Sequence, residues 1–152
     1  IVMKSFIDRE ITKIKLDYKL NNSKLITPIR LQAYERLVLF VERISPETLF
    51  LRIYQPGMTP TQLHMSLLAA IRSEYEHNLS QQVYVSDDAW EAVRTAKESV
   101  SRLINTAASS PKGQASTQEF SRIVMEAYST IDNSPTQKAI ELLKEEIGAQ
   151  LF

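Results

Sequence analysis

Cysteine is absent from the 152 residues. That absence alone excludes disulfides, zinc–thiolate sites and cysteine nucleophiles. Glycine occurs only three times, at Gly57, Gly113 and Gly148, too sparsely for a loop that cradles phosphates. No run of about 20 apolar residues exists, the length a helix needs to cross a hydrocarbon core. Charge of one sign is not in excess either: eighteen Lys and Arg balance eighteen Asp and Glu, which leaves no global basic field for nucleic acid. With 43% hydrophobic content, the chain still suffices to bury the core of one ordinary domain.

What is present begins with a local charge asymmetry. Within the first thirty residues, Lys4, Arg9, Lys13, Lys15, Lys19, Lys24 and Arg30 stand against Asp8, Glu10 and Asp17, a net of +4. The chain opens IVMKSF, an apolar tripeptide running into this cationic segment. One origin for such an opening is an arbitrary boundary. The other is the cut end of a transmembrane segment whose cytoplasmic flank is the basic helix, as the positive-inside bias demands. Residues 1–26 are accordingly read as a membrane-proximal basic stalk, and residues 27–152 as a helical domain.

Helix starts are marked by caps. Thr27-Pro28, Ser45-Pro46, Thr59-Pro60 and Ser134-Pro135 each put a hydroxyl before a proline. The hydroxyl accepts an orphan backbone N–H, and proline at the first helical position lacks a donor that would go unused. Thr59 with Gln62, Ser116 with Glu119 and Ser134 with Gln137 have capping-box spacing. Ser86 before Asp87 and Asp88 adds a start with anions where the helix dipole favours them.

Periodicity fills in the rest. A first helix over about Lys4–Asn22 carries Ile7, Ile11, Ile14 and Tyr18 in a coiled-coil-like seam under three heptads long, which suits a docking stripe better than a zipper. A second, Pro28–Ile44, shows Leu31, Tyr34, Leu37, Val38, Val41 and Ile44 on one face. PETLFLRIY is a short helix, although Leu49–Tyr54 has strand-like composition. Helices follow over Pro60–Gln82, with Leu63, Leu67, Ile71 and Tyr75 inward, and over Asp87–Ala108, entered by a Val85–Trp90 staple. Ser109–Ala115 reads as a flexible loop, and two shorter capped helices close the chain. The expected fold is all-α, a single bundle-like domain of six or seven helices with a protruding basic N-terminal helix.

The strings LQAYERLVLFVERISPETL, YEHNLSQQVYVSDDAW, INTAA and TQKAIELLK resemble an uncharacterised family of small Bacteroidota proteins. The resemblance covers nearly the whole chain. It implies one N-terminal transmembrane helix followed by a cytoplasmic all-α domain, and it brings no activity and no catalytic residues.

The most chemically loaded stretch is EYEHNLSQQVYVSDDAW, Glu74 to Trp90. Glu74 and His77 have the Glu-x-x-His spacing of di-metal bundles. Such a site needs a second Glu-x-x-His pair, however, and the remaining histidine, His64, has Thr61 three residues before it. Tyr75, Asn78, Gln81, Gln82 and Tyr84 could form a partner surface of amides and aromatics. Equally, the amides could satisfy the unpaired groups of a helix-to-helix turn.

The sequence therefore points to a non-enzymatic interaction or scaffolding module, single-pass on the inner membrane with this domain cytoplasmic. It implies no cofactor, no nucleic-acid partner, an unnamed protein partner and weak self-association through the first helix. The competing expectation is a helical-bundle enzyme that uses carboxylates, with or without a metal held by Glu74 and His77.

Overall fold

The computed structural model describes residues 1–151, and the side chains of all of these except 21–26. Every element among them is helical: α1 (Val2–Ile44), α2 (Pro46–Ile53), α3 (Pro60–Asn78), a 3-10 turn (Leu79–Val83), α4 (Asp87–Ser109), α5 (Pro111–Ala115), α6 (Thr117–Ser129) and α7 (Pro135–Leu151). The strand-like reading of Leu49–Tyr54 gives way to α2.

Helix α4 is the hub, packed by α1, α3, α5, α6 and α7. Its inward face is Ala89, Val93, Ala96, Val100, Ile104 and Ala107, all buried at steps of three and four. Small residues on that face let neighbouring helices approach closely. Large ones fill the gaps from outside: Tyr34, Leu37, Phe40 and Ile44 of α1, Leu63, Leu67 and Ile71 of α3, Phe120 of α6 and Leu143 of α7. At the entry to α4, Val85 is buried, and Trp90 is partly buried and packed against the core.

The caps behave as expected at four of the starts. Thr59 and Gln62 form a reciprocal capping box at 3.0 and 3.1 Å. Ser86 Oγ accepts from the Ala89 N–H at 3.0 Å, Ser116 Oγ from Glu119 at 3.1 Å and Ser134 Oγ from Gln137 at 3.3 Å. At Ser45 the hydroxyl turns back instead and donates to the Val41 carbonyl at 3.0 Å, sealing the end of α1.

Two boundaries need correcting. Thr27-Pro28 does not start a helix: α1 runs through it for 43 residues with Pro28 inside. A break there would orphan several N–H and C=O groups, whereas continuing forfeits the one bond that proline cannot donate. The basic stalk and the domain thus share one element. The segment Ser109–Ala115 is not a loop, since Ser110 caps α5 by accepting from the Gly113 N–H at 3.0 Å, and Gly113 is buried.

The protruding N-terminal helix is present. All of residues 1–20 are exposed, including Ile7, Ile11, Ile14 and Tyr18. At 1.5 Å per residue they extend about 30 Å. Among the described residues, no helix is long and apolar enough to cross a membrane.

Candidate functional site

The corner where α3 passes through the 3-10 turn to α4 holds most of the residues singled out from sequence. Helix α3 ends there, and its last carbonyls have no intrahelical donors. Asn78 Nδ2 donates to the Glu74 carbonyl at 2.8 Å and Gln82 Nε2 to that of Leu79 at 2.9 Å. Arg36, reaching over from α1, donates to the His77 carbonyl at 3.1 Å, and Arg30 Nε to that of Tyr84 at 3.2 Å. Gln81 is buried and donates to Ser80 Oγ at 3.4 Å. The amides thus close the turn, and two arginines of α1 tie it down. Only Gln82 and Tyr84 of the five expected surface residues remain exposed.

Tyr75 points the other way, into the α1–α3–α4 seam. Its ring stacks on Trp90 at 5.5 Å between centroids and meets Phe40 at 6.0 Å. Lys97 Nζ lies 4.1 Å from the same ring centroid, a cation–π contact that covers its outer side. Burial, the largest cause, raises the Tyr75 pKa above the ordinary tyrosine range.

Glu74 and His77 share a helix but no function in the geometry. Glu74 Oε1 accepts from Arg43 Nη2 at 2.7 Å and from Arg52 Nη1 at 2.9 Å, so one carboxylate clamps α3 to both α1 and α2. Hydrogen bonding to Glu74 raises the Arg43 pKa. His77 is exposed, and its Nδ1 donates to the Ser73 carbonyl at 2.7 Å. His64 stands apart, with Nε2 at 2.7 Å from Asn105 Oδ1 and its ring edge-on to Phe120. Among the described residues, no three His, Asp or Glu side chains gather as metal ligands would.

Sequence reasoning missed a second carboxylate of the same kind. Glu146, on α7, accepts from Tyr34 Oη at 2.7 Å and from Ser86 Oγ at 2.6 and 2.8 Å. Since Ser86 also caps α4, this carboxylate joins α1, α4 and α7 at one point and sits near the positive end of α4. Burial first, and then Glu146, raise the Tyr34 pKa above its usual value near 10. The neutral phenol is therefore the favoured form in the fold. Its stabilisation is complete below the unfolded-state pKa and is lost as pH rises through the folded-state value. The unfolding midpoint should accordingly decline as pH is raised above about 10. Tyr34→Phe should flatten that decline, leaving the share due to Tyr75, in urea titrations at a series of alkaline pH values. An unchanged slope would refute the role given to Tyr34.

An apolar groove of about 590 Å³ between α2 and α6 was likewise not foreseen; Phe50, Leu51, Tyr54 and Met125 line it, with Glu47 at the rim. A signal existed. Leu49, Phe50 and Leu51 are consecutive, and a helix cannot bury three consecutive side chains on one face. Leu49 and Phe50 are inside, and Leu51 is 82% exposed.

The positions expected to lie near a membrane, Lys4, Arg9, Lys13, Lys15 and Lys19, are all solvent-facing on the projecting part of α1. Lys24 lies outside the residues whose side chains the structure describes. No curated protein and no solved structure matches the chain. A family model does match, over residues 1–150, and its description is a family of unknown function, DUF7935. A match of that extent includes the stalk, the clamp residues and the groove alike, and the chain therefore belongs to this uncharacterised family.

Proposed function

We propose that this chain is a non-enzymatic interaction or scaffolding module, held at the inner membrane by a segment preceding Ile1, with its helical domain in the cytoplasm. One observation carries the reading. Residues 1–20 of α1 project from the domain fully exposed, and cations outnumber anions seven to three in the chain's first thirty residues. A rod with that bias is suited to follow a membrane span on the cytoplasmic side. Its Lys and Arg side chains would gain on the order of 1 kcal/mol each near anionic head groups. The protein partner would find uncovered apolar surface between α2 and α6.

The carboxylate-enzyme alternative draws on Glu74, whose Oε1 is engaged by two guanidinium groups, and nothing else in the geometry favours it. The test is a topology reporter fused to the C-terminus of the full-length protein in cells, together with membrane fractionation. Activity of a cytoplasm-specific reporter in the membrane fraction is expected. Activity of a periplasm-specific reporter, or a full-length protein that stays in the soluble fraction, would overturn the reading.

A further inference from the structure

The projecting part of α1 carries the pattern of a two-stranded coil. Ile7, Ile11, Ile14 and Tyr18 recur at alternating steps of four and three, and are 50, 45, 64 and 69% exposed. Large apolar groups held in water at heptad spacing require cover. Taking Ile11 and Tyr18 as a positions and Ile7 and Ile14 as d positions places Glu10 and Asp17 at g, and Asp8 and Lys15 at e. Lys4 falls at the preceding a position and closes the seam at its N-terminal end.

We propose that the cover is a second copy of this chain, with the first halves of the two α1 helices packed parallel and in register. In a parallel pair, each g residue faces the e residue five positions further along the other helix. Glu10 of each copy then faces Lys15 of the other, and the attraction occurs twice. In an antiparallel pair, e faces e and g faces g. Asp8 would meet Lys15, but Glu10 would meet Asp17, so attraction and repulsion cancel. Charge selects the parallel arrangement.

Two further features fit a second copy. At 100° per residue, the seam lies roughly a third of a turn from the Leu37–Ile44 face covered by the domain, so the domain does not block it. Moreover, Glu10 and Asp17 border the apolar stripe, where a helix lying flat on an anionic membrane would carry cations. The pairing is independent of the membrane tether proposed above and is tested without it.

The experiment is analytical ultracentrifugation of the 152-residue chain over a wide concentration range. A reversible monomer–dimer equilibrium is expected, because so short a seam is saturated only at high concentration. Ile11→Asp and Ile14→Asp should each weaken association by about tenfold or more. Thermal unfolding at concentrations where the parent chain is monomeric should not change, since both side chains are exposed in the single copy. E10K alone and K15E alone should each weaken pairing, and an equimolar mixture of the two variants should restore it, because every g–e contact becomes attractive again. Strengthening by E10K would identify an antiparallel pair and overturn the proposal. A chain that stays monomeric throughout, yet binds phosphatidylserine vesicles in a manner abolished by Ile11→Asp, would show that lipid covers the stripe and would overturn it too.

Discussion

Phe120→Ala should lower the stability of the domain by about 3–5 kcal/mol. Phe120 is fully buried on α6, and its ring lies 5.8 Å from that of Phe50 on α2 and 6.3 Å from that of His64 on α3. Three helices converge on this one side chain, so truncation opens a cavity that none of them can close alone. Geometry-specific aromatic contact adds about 0.5–1.5 kcal/mol for such a pair beyond area burial. In thermal denaturation the loss should appear as a melting point roughly 10 °C lower, given about 2–4 °C per kcal/mol for a domain of this size. Leu51→Ala is the matched control: Leu51 is 82% exposed, and its removal should change stability by no more than about 0.5 kcal/mol. Equal effects from the two substitutions would mean that α6 does not pack on α2 and α3 as described.

Gly113→Ala should destabilise by about 1–3 kcal/mol, where a glycine-to-alanine change in a helix ordinarily stabilises. The sign is the informative part. A Cβ on Gly113 would run into the Ala107 carbonyl oxygen and sit 2.9 Å from Ser110 Oγ. Both are already engaged: Ser110 Oγ donates to that carbonyl at 2.8 Å and accepts from the Gly113 N–H at 3.0 Å. The new methyl group would therefore have to spread the turn between α4 and α5 or break the cap. Chemical denaturation of Gly113→Ala beside the parent protein decides the matter, and equal or greater stability of the variant would refute the close approach.

These two positions also mark how far the sequence could be read. The buried faces of α3 and α4 follow directly from the spacing of Leu63, Leu67 and Ile71 and of Val93, Val100 and Ile104. Local chemistry sufficed there, because one helix's periodicity and its own cap determine where it starts and which side is apolar. The hydroxyl–proline signature worked at Thr59 and Ser134, and misled at Thr27, where continuing α1 keeps more backbone bonds than restarting it. The same signature stands at Ser110-Pro111, inside a segment that reads as a loop because its residues are small and polar and include Pro111 and Gly113. What Gly113 supplies is close approach to another part of the backbone, and no local pattern reports that.

The site was legible as composition and not as connectivity. Glu74 and His77 have the right spacing for metal, but what occupies Glu74 comes from Arg43 and Arg52 on two other helices. Glu146 is one more helical acid in the sequence, and its partners are 112 and 60 residues away. Contacts made across the fold decide what a carboxylate does, and sequence separation conceals them.

The continuity of α1 has a mechanical consequence. One rod is packed in the core at Leu37, Phe40, Val41 and Ile44 and free in solvent over its first twenty residues. It is therefore a lever whose fulcrum is the domain itself. Over the roughly 50 Å from Leu37 to Val2, a 10° reorientation of the buried half displaces the free end by roughly 9 Å. A force applied at the tip would be felt where α1 packs against α4 and α7.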